Sequence, residues 1–309
     1  MATSERQKKY YSCEDFYTVR KMDAHVHLNT DEPSLPEQAL ADNFSLISIN
    51  TKMPGFPTLN EQQYFILKQK ASFPNVINYL TSFDSAEIAL INNCDRQLDY
   101  IRESLNSGAI GVKIWKDIGM VIRDSEGRYL LPNDSILDPI FHYLQENKIA
   151  VCGHIGEPLN CWLPLGKMTT NNDRDYFRNH PEYHMYLHPE CPSYDVLIAA
   201  RDGLLEKYNT LRFTGAHLGS LEWSFYELSK RLDRFPNMTV DIAERLGQIQ
   251  FQSIENWQAV HNFFVTYQDR IIYGTDIIAG ENDKPDNVRV RAHELWMRDW
   301  KYFTTNEEM

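Results

Sequence analysis

The sequence predicts an α/β protein, a (β/α)8 barrel of the TIM type with a long loop insertion after its fifth strand. Eight short apolar runs alternate with segments whose apolar residues recur at helical spacing. Alternation of that kind argues for a parallel sheet, and eight units argue for its closure. The length, 309 residues, suits one such barrel. An open doubly wound sheet is the structural rival, but it wants a glycine-rich first turn, and residues 29–38 contain no glycine. With no internal repeat and no linker, residues 1–309 are expected to form a single domain.

The first strand is expected over residues 17–28, followed by a polar loop over 29–38. Residues 44–51, Phe-Ser-Leu-Ile-Ser-Ile-Asn-Thr, read as the second strand. Pro54, Gly55 and Pro57 mark a loop, and 59–71 a helix with Asn60 as a candidate cap. The third strand is 76–83. A long amphipathic helix is expected over 86–105, behind Asp84 and Ser85 as caps. The fourth strand is 108–115, then a polar loop over 117–129 and a helix over 134–147. The fifth strand, 150–154, leads into 155–192, a stretch without periodicity, of a length that marks lids and binding loops. Helices over 193–208, 222–234, 255–267 and 288–300 alternate with strands over 211–218, 238–243 and 271–277.

Composition narrows the partners. The net charge of -12 argues against nucleic acid or an anionic membrane surface. It leaves room for a small anionic substrate, because one local Arg or Lys overrides the overall sign. Five scattered cysteines without a Cys-x-x-Cys pair fit a reducing compartment. The N-terminal stretch has no apolar core for a signal peptide, and no run approaches a membrane span. A cytoplasmic protein acting on a small molecule is expected, with a homo-oligomer compatible and no interface marked.

Barrel enzymes place their chemistry at the C-terminal ends of the strands. His25 and His27 stand two apart on the first strand, so both side chains point to one face and can meet at one divalent ion. Two packing histidines on an apolar strand is the bland alternative. Lys113, His154, His217 and Asp276 also fall at or near strand ends, whereas His142, His261 and His293 lie in helical segments. His180, His184 and His188 lie in the long loop. Taken alone, His154 and His217 can each be packing residues, Asp276 can cap a turn, and Asp241 is a competing carboxylate. Their joint placement at one end of one barrel favours a metal site.

His-x-His on the first strand, Gly-Val-Lys-Ile-Trp (111–115), Gly-His-Ile-Gly-Glu-Pro (153–158), Gly-Ala-His-Leu-Gly-Ser (215–220) and Tyr-Gly-Thr-Asp (273–276) resemble the amidohydrolase superfamily. Their phrasing is similar to the amidohydrolase 2 branch, of the aminocarboxymuconate-semialdehyde decarboxylase type, over about residues 19–300. The resemblance implies one divalent cation held by His25, His27, His154 and Asp276. Zn2+ is the expected ion, with Mn2+ as the alternative. Imidazoles and a carboxylate suit such an ion, and an open position leaves room for water whose pKa falls to ~7. The resemblance further implies Asp276 as the proton acceptor, and His217 as the group that orients or protonates the substrate or stabilises its developing charge. Lys113 departs from a single expectation. It is a lysine paired to a carboxylate, a free ammonium that binds substrate, or a carbamate bridging a second ion.

On the substrate side, Arg245 and Arg174 are the candidates for holding a carboxylate, because a guanidinium binds one bidentately. Glu157 can meet a substrate hydroxyl or fix its loop. Trp115, Trp162 and Tyr183 can wall an apolar part of the pocket or pack the lid. The expected activity is a metal-dependent hydrolase adding a metal-activated water to a small amide, lactone or ester that carries a carboxylate. The alternatives are a metal-dependent decarboxylase of a small unsaturated or aromatic acid, and a catalytically silent barrel that keeps a metal or ligand.

Overall fold

The computed structural model describes residues 10–307. The stretch read above for a signal peptide lies, through residue 9, outside the described residues. The strands are β1 (Lys21–Asn29), β2 (Phe44–Ile49), β3 (Ile77–Leu80), β4 (Gly111–Ile114), β5 (Ala150–Gly153), β6 (Phe213–Gly215), β7 (Met238–Asp241), β8 (Ile271–Ile272) and β9 (Ile277–Gly280). All neighbours pair in parallel, in the orders β3-β2-β1-β9 and β4-β5-β6-β7-β8. β8 and β9 are the two halves of the eighth barrel strand, broken at 273–276.

Backbone hydrogen bonds join the two arcs at both seams. Thr81 N–H donates to Gly111 O (3.0 Å) and Lys113 N–H to Thr81 O (2.6 Å), linking β3 to β4. Across the other seam Ala24 N–H donates to Tyr273 O (3.0 Å) and Asp276 N–H to His25 O (2.7 Å). Gly274 makes that approach possible, since a Cβ there would lie 2.7 Å from His25 Cβ. This is the (β/α)8 barrel expected from the sequence.

The strands end sooner than the apolar runs do. The sixth run, expected to reach residue 218, is strand only over Phe213–Gly215, because His217, Leu218 and Ser220 take left-handed backbone (φ 57°, 59° and 57°). The expected helix over 86–105 is two helices, Ser85–Ile91 and Asp95–Asn106, separated by Asn92 at φ 50°. The loop expected over 29–38 contains the start of a helix, Ser34–Ala41. Thr58, rather than Asn60, caps Leu59–Ser72, in a reciprocal capping box with Glu61. The helix expected over 255–267 begins earlier, as Leu246–Thr266 with a kink at Asn256.

The insertion is compact. It carries the helix Asn171–Asn179 and packs Cys161, Met168 and Phe177 into a small core of its own. Asp173 Oδ2 ties it down, accepting from Asn160 Nδ2 (2.7 Å) and from Gln248 Nε2 (3.0 Å) in the first turn of Leu246–Thr266. Among the described residues no helix is long and apolar enough to cross a membrane.

Candidate metal centre

β1 supplies His25 and His27, and the break between β8 and β9 supplies Asp276. Asp276 Oδ1 lies 3.0 Å from His27 Nε2 and 3.3 Å from His25 Nε2. The opposite ring nitrogens are already engaged: His27 Nδ1 donates to Ile49 O (2.6 Å) and His25 Nδ1 to Asp241 Oδ2 (2.9 Å). Partners of that kind place the ring hydrogens on Nδ1 and leave lone pairs on Nε2. Two lone pairs thus face a carboxylate oxygen, an arrangement of acceptors only. A cation among them converts that repulsion into ligation.

His217 sits at the end of β6 in left-handed backbone, and Asp276 shares that conformation (φ 66°). Non-glycine residues held there cost about 1–3 kcal/mol each and cluster at functional sites. Asp241 holds the His217 turn, accepting its N–H at Oδ1 (2.8 Å). His217 Nδ1 donates to Ala243 O (2.9 Å), so its Nε2 is also the free acceptor. His25, His217 and Asp276 present ligand-type atoms all within 4.8 Å of one another. In its neutral form His217 accepts a proton or a cation; it must be protonated before it can stabilise an oxyanion.

His154, just past β5, stacks edgewise on His217 with ring centroids 4.2 Å apart. Its Nε2 is buried without a hydrogen-bond partner and lies 3.8 Å from Glu157 Oε2. The compact group around Asp276 therefore contains His217, which the resemblance placed on the substrate side. His154, placed in the ligand set, adjoins that group through the His217 ring.

Burial favours the neutral form of three of these imidazoles. Burial lowers His27, and it lowers His154 and His217 well below the ordinary range. Burial opposes ionisation of Asp276 and Asp241, but it is outweighed in both by neighbouring histidines, which hold the two carboxyls down. Neutral imidazoles beside ionised carboxylates are the protonation states that a divalent cation requires.

Lys113 on β4 is buried, with Nζ 3.7 Å from Cys152 Sγ. Lys116, which sequence reasoning did not single out, forms an ion pair with Glu157. Arg245 is buried; its Nη1 donates to Glu244 O (2.9 Å) and its Nε has no partner. Lys116, Lys113 and Arg245 all act on His154, in that order after burial. Trp115 lines a cavity of about 630 Å³ with Phe56, Tyr100 and Asp117. Phe56 also packs on the His27 ring at 5.2 Å, which brings that cavity beside the histidines.

Arg174 is not brought to this centre. Its guanidinium donates to Leu165 O (3.2 Å), Asn171 Oδ1 (2.6 Å) and Met168 O (2.6 Å), and so shapes the insertion itself. Trp162 donates to Pro192 O (3.3 Å), and His184 Nε2 donates to Leu163 O (2.8 Å). Both are packing residues of the insertion.

The family model described as Amidohydrolase matches residues 73–295. That span holds Lys113, His154, His217, Arg245 and Asp276; His25 and His27 precede it. No curated protein matches the chain. Among solved structures, an uncharacterised TIM-barrel protein from Bordetella bronchiseptica is similar over 91% of both chains, at 14% identity and a TM-score of 0.52. 2,6-Dihydroxybenzoate decarboxylase from Rhizobium is similar over 94% of both chains, at 13% identity and a TM-score of 0.52. At these identities the likeness is one of fold.

Proposed function

The chain belongs to the amidohydrolase family, and from that premise we propose that it is a metal-dependent hydrolase of a small amide, lactone or ester carrying a carboxylate. The observation that carries the reading is the facing of the His25 and His27 Nε2 lone pairs and the Asp276 carboxylate across 3.0–3.3 Å. In this reading His25, His27, His154 and Asp276 hold one divalent cation, with Zn2+ the expected ion. The unpartnered, buried Nε2 of His154 supports its place in the set. When bound, the cation supplies a Lewis acid and a water of lowered pKa.

The chain's own residues do the rest. Asp276 stays ionised and takes the proton of the attacking water, then returns it to the leaving group. His217, held neutral by burial, presents Nε2 beside Asp276 as an acceptor that orients the attacking water or a donor group of the substrate. Asp241 orients both His25 and His217. Arg245 and Lys113 surround the centre with buried positive charge that suits a carboxylate substrate. The same charge suits a decarboxylase acting on a small acid, the second reading.

The test is a panel of small carboxylated amides, lactones and esters, offered to chelated and Zn2+-reloaded protein with the hydrolysis product and CO2 both quantified. Formation of the hydrolysis product by the reloaded protein alone is the expected result. CO2 without hydrolysis would move the assignment to the decarboxylase. Hydrolysis undiminished by chelation would remove the metal from the reaction.

A further inference from the structure

The cavity beside the histidines is larger than a scissile bond requires, and its walls are sorted by chemistry. Its volume of about 630 Å³ is that of a small-molecule pocket. Phe56, Tyr100 and Trp115 reach it from three separate places: the loop after β2, the helix Asp95–Asn106 and the end of β4. Met53 and Ile122 extend the apolar wall. Two contacts fasten this wall to the metal centre. The Phe56 ring packs on the His27 ring at 5.2 Å. Trp115 directly follows Ile114, whose carbonyl accepts from His154 N–H (3.0 Å).

The charged groups of the wall answer one another. Lys52 forms an ion pair with Asp84, and Arg96 Nη1 with Glu87 Oε1 (2.9 Å). Gln97 joins the two pairs: its Oε1 accepts from Asp84 N–H (2.8 Å) and its Nε2 donates to Glu87 Oε2 (2.6 Å). Asp117, which is buried, accepts from Ser85 Oγ and from Ile118 N–H (2.9 Å). Among the described residues, every charged side chain lining the cavity is thus engaged within its wall. A charged ligand group would lose its water there without a free partner, whereas a neutral ring gains contact with three others. The loop that carries Phe56 is preorganised for such contact. Gln62 Nε2 donates to Thr51 O (2.9 Å) and Pro57 O (2.7 Å), and Phe56 N–H closes a turn on Met53 O (3.1 Å).

We propose that this cavity is the subsite for an uncharged aromatic group of the substrate, seated against Trp115 and Phe56 with the reacting bond directed to His27 and His154. The substrate carboxylate lies outside it, because the cations of this wall are already paired. The direction of the reacting bond rests on the functional reading above; the class of group the cavity takes rests on its walls alone.

The probes are benzamide, acetamide and 4-carboxybenzamide, titrated calorimetrically into full-length protein, both chelated and Zn2+-loaded. Benzamide is expected to bind at least about tenfold tighter than acetamide in both forms, the order of effect of burying one ring. Trp115→Ala and Phe56→Leu should each weaken benzamide severalfold, the size of one aromatic contact, and leave acetamide unchanged. 4-Carboxybenzamide is expected to show no binding that Trp115→Ala removes. Equal binding of benzamide and acetamide, benzamide binding undiminished in either folded variant, or a carboxylated ring bound through Trp115 as tightly as benzamide would overturn the proposal. Benzamide binding to the chelated protein needs no metal, so zinc content and melting temperature of the same samples report failure of the metal reading separately.

Discussion

Asp241 controls two histidines with one carboxylate: Oδ2 takes the His25 Nδ1 hydrogen and Oδ1 the His217 N–H. Outer partners of metal-ligating histidines typically contribute 10- to 100-fold to affinity. Asp241→Asn should therefore weaken Zn2+ binding by about that factor in a competitive chelator titration, while leaving the fold intact. Unchanged affinity would mean that the His25 ring is set by packing alone. Sequence reasoning met Asp241 only as a rival ligand, because nothing in one sequence reveals which carboxylate points at a metal and which at the back of a histidine. The His-x-His pair, by contrast, was legible through strand periodicity.

At the scale of elements, the seam between β1 and the broken eighth strand hangs on Asp23. Its carboxylate accepts from His25 N–H (3.2 Å), Thr275 N–H (3.1 Å), Thr275 Oγ1 (2.6 Å) and Trp296 Nε1 (2.8 Å). Burial raises its pKa to about 6 against those bonds. Asp23→Ala would strand these donors in the core, each at roughly 1–3 kcal/mol. The expected outcome is a fall in unfolding free energy of several kcal/mol, together with weakened metal binding, since His25 and Asp276 lie on the two sides of that seam. A variant as stable as the wild type in denaturant titration would contradict this account. The runs that became strands were readable, but their ends were not. Apolar composition continues through His217–Leu218 and Tyr273, where tertiary hydrogen bonds, invisible in the sequence, bend the chain out of the sheet.

For the whole molecule, buried titratable groups set opposing pH trends. His27, His154 and His217 have lowered folded values, so the unfolded chain takes up protons first. Their share of stability is complete above their ordinary 6.5 and is lost as pH falls below it. Glu222 runs the other way: burial raises it from 4.5 to about 7, so its share is present below 4.5 and is lost as pH rises to about 7. Glu222→Gln removes only the second trend. Its melting temperature relative to the wild type should rise between pH 4.5 and 7 and level off above; a constant offset would refute the buried, proton-linked state. The barrel itself was legible from eight alternating units and a glycine-free first turn. The insertion after the fifth strand was legible as a long aperiodic stretch, but its internal order was not, because that order comes from a local core and the Asp173 tie rather than from periodicity.

The central claim is that the strand-end histidines and Asp276 hold a cation, and elemental analysis of freshly purified protein tests it most directly. The account predicts about one equivalent of Zn or Mn per chain, lost in His25→Ala and accompanied in the wild type by a chelator-sensitive melting temperature. Protein that carries no metal, and whose melting temperature neither chelation nor Zn2+ changes, would contradict it.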